Sequence, residues 1–200
     1  MSILAIDTCF SACSAAVHNA ATGRISDRFE RMETGHAERL VPMIAEVMAE
    51  AGLAFSELAA VAVTVGPGSF TGVRIGVSAG RALALAHGLE TRAISSLEVM
   101  GQVARSELPS DASTSRELIV AMDARRGRLL VQRITAAGPA DAPRLATVDE
   151  IAFAIVEAER ESTAAYRRAD ALKRLYKLAR EAGCIGADRA ATAVMKKEGQ

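Results

Sequence analysis

The chain has 200 residues, half of them apolar, with 24 Lys/Arg against 24 Asp/Glu and no Trp. That length suits one larger domain or two small lobes around a core of Ala, Val, Leu, Ile and Met. Aromatic residues make up only 4%, which argues against base-stacking RNA modules that need exposed Phe or Tyr platforms.

Charge is uneven. Ser162 to Gln200 carries nine basic and four acidic residues, a net of +5, leaving fifteen basic and twenty acidic residues before it. The acidic body does not resemble a self-sufficient nucleic-acid binder. The basic tail reads as a solvated helix face, or as a contact with RNA or an acidic partner. Cys9, Cys13 and Cys184 form no CxxC pair, so reduced thiols in a cytoplasmic protein are expected. The start, Met1 to Asp7, has no basic n-region, and no apolar run is long enough to span a bilayer. No leader and no membrane association are expected.

In chain order, Ile3–Ile6, Ala12–His18 and Ile25–Met32 read as strands separated by short turns. They predict an antiparallel meander opening a mixed sheet. After Thr34-Gly35-His36, the residues Leu40, Val41, Ile44, Val47, Met48 and Ala51 fall at helical spacing, with Gly52 as the stop. Pro42 is expected near the helix start, where a missing N–H matters least. Val61, Val63 and Val65 predict a buried strand, broken by Gly66-Pro67-Gly68. Ser69 or Thr71 can cap a helix that runs from about Val73 to His87. In it, Gly72, Gly76 and Gly80 recur every fourth residue. Interior glycines cost roughly 0.5–1 kcal/mol each relative to Ala, so close backbone approach is expected on that face.

Thr91–Ile94 predicts a strand, and Ser95 or Ser96 a cap for a helix through Val103. Ser106–Arg116 is polar and reads as a lobe boundary, giving lobes of 1–105 and 106–200. Leu118–Met122 and Leu129–Ile134 predict a hairpin around Asp123–Gly127, followed by a loop with Pro139 and Pro143. Thr147 and Glu150 have capping-box spacing before a helix with Ile151, Phe153, Ala154, Ile155 and Val156 on its apolar face. Tyr166–Ala182 reads as a charged helix with Leu172, Leu175, Tyr176, Leu178 and Ala179 as its apolar stripe.

The strand, glycine turn and helix start at Val61–Gly76 suit either an anion site or a tight corner. The candidate anion set is Asp7, Thr8, Gly66, Gly68, Ser69, Thr71 and Arg74. A Walker loop is excluded, because no Lys follows the glycines at the required spacing. The spacing is GxGxxxG, a poor match to a dinucleotide fingerprint. Asp7 ends the first strand, where an actin-like fold places a magnesium-phosphate ligand. It is followed by the bulky Cys9-Phe10-Ser11 with no Gly. His36 has Leu40 rather than His four residues on, so no helical metal pair exists. Ser69 lacks the GxSxG spacing of a nucleophile elbow.

Ile3–Thr8, Thr34–Leu40, Val65–Gly76 and Ala121–Gly127, in this order, resemble the TsaB (YeaZ) family. The Gly-Pro-Gly-Ser-Phe-Thr-Gly-Val-Arg run is specific, and the resemblance covers roughly residues 1–135. It implies an α/β, actin-like, two-lobed fold of the sugar-kinase and heat-shock ATPase type, with mixed sheets flanked by helices. It implies a non-catalytic subunit in the addition of threonylcarbamoyl to N6 of adenosine 37 in tRNAs that read codons beginning with A. The alternative is an actin-like nucleotide-binding phosphotransferase.

The implied partners are the transferase TsaD, the ATPase TsaE and, through the complex, tRNA, with a homodimer when the chain is alone. No cofactor is expected on this chain; ATP and a metal act through TsaE and TsaD. The implied partner interface lies on the two first-lobe helices, at Leu40, Val41, Ile44, Val47, Met48, Gly72, Gly76, Ala79, Gly80 and Leu83. Two features depart from the family. Arg128-Leu129-Leu130 stands where an acidic residue, an aliphatic and Tyr are usual, and the Ala- and Arg-rich composition after about residue 162 reads as a divergent end or a foreign reading frame.

Overall fold

The protein is described by a computed structural model that covers residues 1–106 and 117–152. Much of the predicted boundary segment (107–116) and the whole charged helix at Tyr166–Ala182 lie outside the described residues, as do Phe153 to Val156. The chain divides into two compact units, Met1–Met100 and Gly101–Gln200.

The first unit opens with β1 (Ser2–Asp7), β2 (Ala12–His18) and β3 (Ile25–Arg31), an antiparallel meander as the sequence predicts. Next come α1 (His36–Ala51), a short 3-10 turn, β4 (Leu58–Thr64), α2 (Phe70–His87) and β5 (Glu90–Ile94); α3 (Ser96–Ser106) then runs across the division at Met100. The sheet order is β3-β2-β1-β4-β5, with β4 parallel to both β1 and β5. Alternation decides which face is buried. Leu4 and Ile6 of β1, Cys13, Ala15 and Val17 of β2, and Val61 and Val63 of β4 point to one core. Leu40, Met43, Ile44, Val47 and Met48 of α1 close over them.

α1 begins at His36, four residues before the first periodic apolar residue, Leu40, so Pro42 sits inside the helix rather than in its first turn. Its missing N–H and its ring lie on the exposed side of α1, where the carbonyl left without its helical donor can bond water. Gly52 ends the helix in the left-handed conformation, its N–H bonding back to Met48 and Ala49 carbonyls.

The edge strand β3 is tied to α1 by ions. Arg39 grips Glu30 of β3 and Glu46 one helical stretch on, and Arg28 reaches Glu50 at 2.6 Å. The Arg39 guanidinium holds the Glu30 and Glu46 carboxyls below their ordinary value near 4.5. A carboxylate with a depressed folded pKa stabilises fully above its unfolded value and loses that contribution as pH falls through the folded one. Thermal stability is therefore expected to drop on acidification below about pH 4.5. Arg39→Met should flatten that acid limb, as read from melting temperature against pH; equal slopes would sink the assignment.

In the second unit β6 (Leu118–Asp123) and β7 (Leu129–Thr135) form the predicted hairpin. The loop expected around Pro139 and Pro143 instead contributes β8 (Gly138–Pro139) and β9 (Arg144–Ala146), both antiparallel to β7. Pro139 is tolerated because an edge strand needs no donor on its open side. The hairpin tip holds Arg125, Arg126 and Gly127 at φ of 65°, 55° and 70°. For a non-glycine residue that region costs roughly 1–2 kcal/mol. Thr147 and Glu150 form the capping box, Thr147 N–H to Glu150 Oε2 at 2.8 Å and Glu150 N–H to Thr147 Oγ1 at 3.2 Å. No helix among the described residues is long and apolar enough to cross a membrane.

Candidate functional site

The candidate site is the meeting of the β1–β2 turn with the glycine turn before α2. β1 ends at Asp7, and β4, its parallel neighbour, ends at Thr64. Parallel pairing thus brings both strand ends to one edge of the sheet. There Asp7 Oδ1 accepts from the Thr64 hydroxyl at 2.6 Å and from the Cys9 amide at 2.8 Å. Cys9 Sγ lies 3.2 Å from the Thr64 hydroxyl oxygen. The Cys9 thiol is fully buried, and burial pushes its pKa up, against the lowering effect of Ser96 and Thr64. A thiol so placed is a packing group rather than a nucleophile.

The glycine turn closes onto the same edge. Thr8 Oγ1 donates to the Gly72 carbonyl at 2.7 Å, and the Ser69 amide donates to the Cys9 carbonyl at 2.7 Å. Ser69 caps α2, its Oγ accepting from the Gly72 amide at 3.3 Å, while the Val73 amide bonds the Ser69 carbonyl. A Cβ at Gly68 would overlap the Cys9 carbonyl, and one at Gly72 the Thr8 carbonyl. Of the amides at this helix start, those of Ser69 and Gly72 have protein acceptors, the Cys9 carbonyl and the Ser69 hydroxyl. Of the candidate anion set, the structure joins Asp7, Thr8, Gly68 and Ser69. Gly66 instead offers its carbonyl to the Ser96 amide. Thr71 and Arg74 face a different place, the α1–α2 groove.

Thr64→Val should remove the donor to Asp7 and leave a carboxylate with one internal partner. A loss of about 1–3 kcal/mol is expected in urea denaturation. An unchanged midpoint would mean that the Asp7–Thr64 bond contributes nothing. His36 Nε2 sits 3.0 Å from the Phe10 carbonyl, so it anchors the same turn. Among the described residues no three His, Cys, Asp or Glu side chains are grouped to hold a metal.

The interface residues expected on α1 and α2 need correction. Leu40, Ile44, Val47 and Met48 are at most 3% exposed and belong to the unit's own core. Gly72, Gly76 and Gly80 are buried against the unit's own strands. A Cβ at Gly76 would lie 2.7 Å from Thr8 Oγ1, and one at Gly80 would overlap Val63. Ala79 and Leu83 are half-buried on that core. The close approach implied by the glycines is real, but it is to β1 and β4.

What the two helices present outward is different. Val41 is 65% exposed and Phe70 71%, with the Arg74 guanidinium stacked 4.2 Å over the Phe70 ring. Together with Ala37, Thr71, Ile75 and Ser78 they line an open groove between α1 and α2, and Leu40 and Ala79 form its floor. Only Val41, Ala79 and Leu40 of the expected interface touch this groove. Phe70 was the signal available in the sequence, a large aromatic directly after a glycine turn. Thr64 carried none, since a Thr at the end of an apolar strand is ordinary.

A mixed sheet with α1 and α2 on one face, followed by a second sheet unit, is the actin-like α/β class. Comparison with known proteins narrows this. A family model described as tRNA N6-adenosine threonylcarbamoyltransferase (TsaD) matches residues 30–186. The chain is 36% identical over 129 residues to the tRNA threonylcarbamoyladenosine biosynthesis protein TsaB of Escherichia coli (strain K12), covering 64% of this chain and 53% of that protein. It is 33% identical over 135 residues to the TsaB of Haemophilus influenzae, covering 67% and 54%. A solved YeaZ-like structure from Pseudomonas aeruginosa superposes with a TM-score of 0.66 at 32% identity, covering 74% of this chain and 67% of that one. The chain belongs to the threonylcarbamoyltransferase family, within its TsaB (YeaZ) group. It spans about half the length of the curated relatives it matches.

Proposed function

We propose that this chain acts in threonylcarbamoyladenosine synthesis as a non-catalytic subunit. It supports TsaD, together with TsaE, in transferring threonylcarbamoyl to N6 of adenosine 37 in tRNAs reading codons that begin with A. The observation that carries the reading is the self-filled turn, in which Thr8 and Cys9 carbonyls occupy the space at Gly72 and Gly68. In this reading the glycine turn is structural, and the chain contributes by binding a partner. ATP and the catalytic metal would then act through TsaE and TsaD.

The partner surface in this reading is the α1–α2 groove with Val41, Phe70, Arg74 and Ile75. It combines an exposed aromatic, an exposed aliphatic and an arginine, the residue types that anchor interfaces. When the chain is alone, a second copy would use the same groove. The test is reconstitution of tRNA modification with TsaD, TsaE and TsaC, the enzyme that makes the threonylcarbamoyl adenylate, with and without this chain, scoring modified adenosine. Omission should abolish modification; unchanged yield would overturn the reading. Nucleotide hydrolysis or phosphoryl transfer by the isolated chain would favour a phosphotransferase instead.

A further inference from the structure

We propose that the β6–β7 hairpin tip is a contact for the phosphate backbone of RNA, made by Arg125, Arg126 and Arg128. Three observations converge on it. The three arginines fall within four consecutive positions and are all exposed. None of them is in an ion pair among the described residues, as is also true of the dispersed Arg24, Arg31 and Arg81, and the tip is where three such arginines are grouped. Arg125 and Arg126 sit in the left-handed conformation that Asn or Gly would adopt more easily. Long cationic side chains stand where backbone preference alone would select against them.

The tip is rigidly built. Arg125 N–H donates to Asp123 Oδ1 at 2.7 Å, Ala124 N–H to the Arg128 carbonyl at 2.9 Å, and Arg128 N–H to the Arg125 carbonyl at 3.2 Å. Asp123 is the one carboxylate at the tip, so the net charge from 123 to 128 is +2. Its Oδ1 is turned to the Arg125 amide rather than to a guanidinium.

The chemistry favours phosphates over an acidic protein. Guanidinium forks bind phosphate oxygens in a bidentate way. A protein interface needs an apolar or aromatic centre, and between Asp123 and Arg128 the apolar side chains amount to the methyl of Ala124. That the phosphates belong to RNA rests on the tRNA-modification reading proposed above. The tip is a local cation cluster on a body that is otherwise acidic, so by itself it binds RNA weakly and measurably only at low salt, and it orients an RNA already brought near.

The test measures binding of an unmodified tRNA transcript to the full-length chain by fluorescence anisotropy across a salt series. The variant is Arg125→Asn with Arg126→Asn and Arg128→Gln. Asn suits the left-handed positions, so the melting temperature should hold or rise. The expected result is a loss of about tenfold in affinity at low salt and a salt slope shallower by about two to three. Unchanged affinity and slope, or no binding by the unaltered chain, would overturn the proposal. Polyglutamate competing as well as tRNA would assign the tip to an acidic polypeptide. Equal binding of a DNA duplex of matched length would remove the RNA preference and leave general phosphate binding. Binding is read without modification activity. Failure of the subunit reading would show in reconstitution, and failure of the tip in this titration.

Discussion

Gly72→Ala is expected to destabilise the folded chain by at least about 3 kcal/mol, lowering the melting temperature by roughly 6–12 °C. The added Cβ would enter the Thr8 carbonyl, a backbone group held in β1's own loop. A flexible side chain could swing away from such a clash, but a carbonyl at the end of a paired strand cannot. Relief would come only by lifting the first turn of α2, which breaks the Thr8 hydroxyl bond to Gly72. Gly80→Leu should behave similarly through Val63. Leu85→Ala on the same helix, 87% exposed, should change stability by no more than about 0.5 kcal/mol. Urea and thermal denaturation measure all three. A Gly72→Ala protein as stable as the unaltered one would show that α2 is not seated on Thr8.

The second large effect concerns the pairing with TsaD proposed above. Val41→Glu combined with Phe70→Glu should weaken pairing with TsaD at least about 100-fold, near 3 kcal/mol, while leaving the melting temperature within about 1 °C. Both side chains are mostly exposed in the isolated chain, so the folded state loses little. A complex would have to desolvate two carboxylates against an apolar centre. Val47→Glu is the contrasting variant. It puts a charge at a position with 0% exposure and should unfold the chain rather than only prevent pairing. Calorimetric titration with TsaD distinguishes the two behaviours. Retained affinity in the double variant would remove the groove from the interface.

The contrast between these variants shows what a single chain's sequence can and cannot reveal. The helical period of Leu40, Ile44, Val47 and Met48 identifies a helix with one apolar face. It also announces that this face is buried, but against what is decided by β1, β2 and β4 from elsewhere in the chain. The Gly72, Gly76, Gly80 repeat works the same way. It says that something approaches closely, and the parallel pairing of β1 with β4 determines that the something is Thr8 and Val63. A sequence pattern is local, whereas the opposing surface is not.

The order and type of the strands and helices, the Ser69 cap and the Thr147–Glu150 capping box were legible because each depends on neighbours within a few residues, but β4 ends at Thr64, leaving Val65 43% exposed, and α2 begins at Phe70 rather than Val73. β8 and β9 were not. Two and three residues long, they owe their pairing to β7 rather than to any propensity of Gly138-Pro139 or Arg144–Ala146. The left-handed Arg125 and Arg126 were also hidden, since Arg carries no signal for that conformation.

The seam between Thr8 and Gly72 joins residues 64 positions apart, and this has a consequence for how the unit assembles. The β1–β2–β3 meander needs only short loops and can form early. β4 can add beside β1 only after the intervening meander and α1 have been ordered, because parallel strands require a long crossover. The glycine turn then closes last. Until β4 pairs, one long edge of β1 stays open to pairing with other chains. Deuterium uptake at the β4 amides paired with β1 would time the sealing of that edge, and uptake at the Ser69 amide, which the Cys9 carbonyl holds, the later closing of the glycine turn. A slowly sealing edge would make aggregation during synthesis depend on how quickly residues 58–72 emerge and find β1.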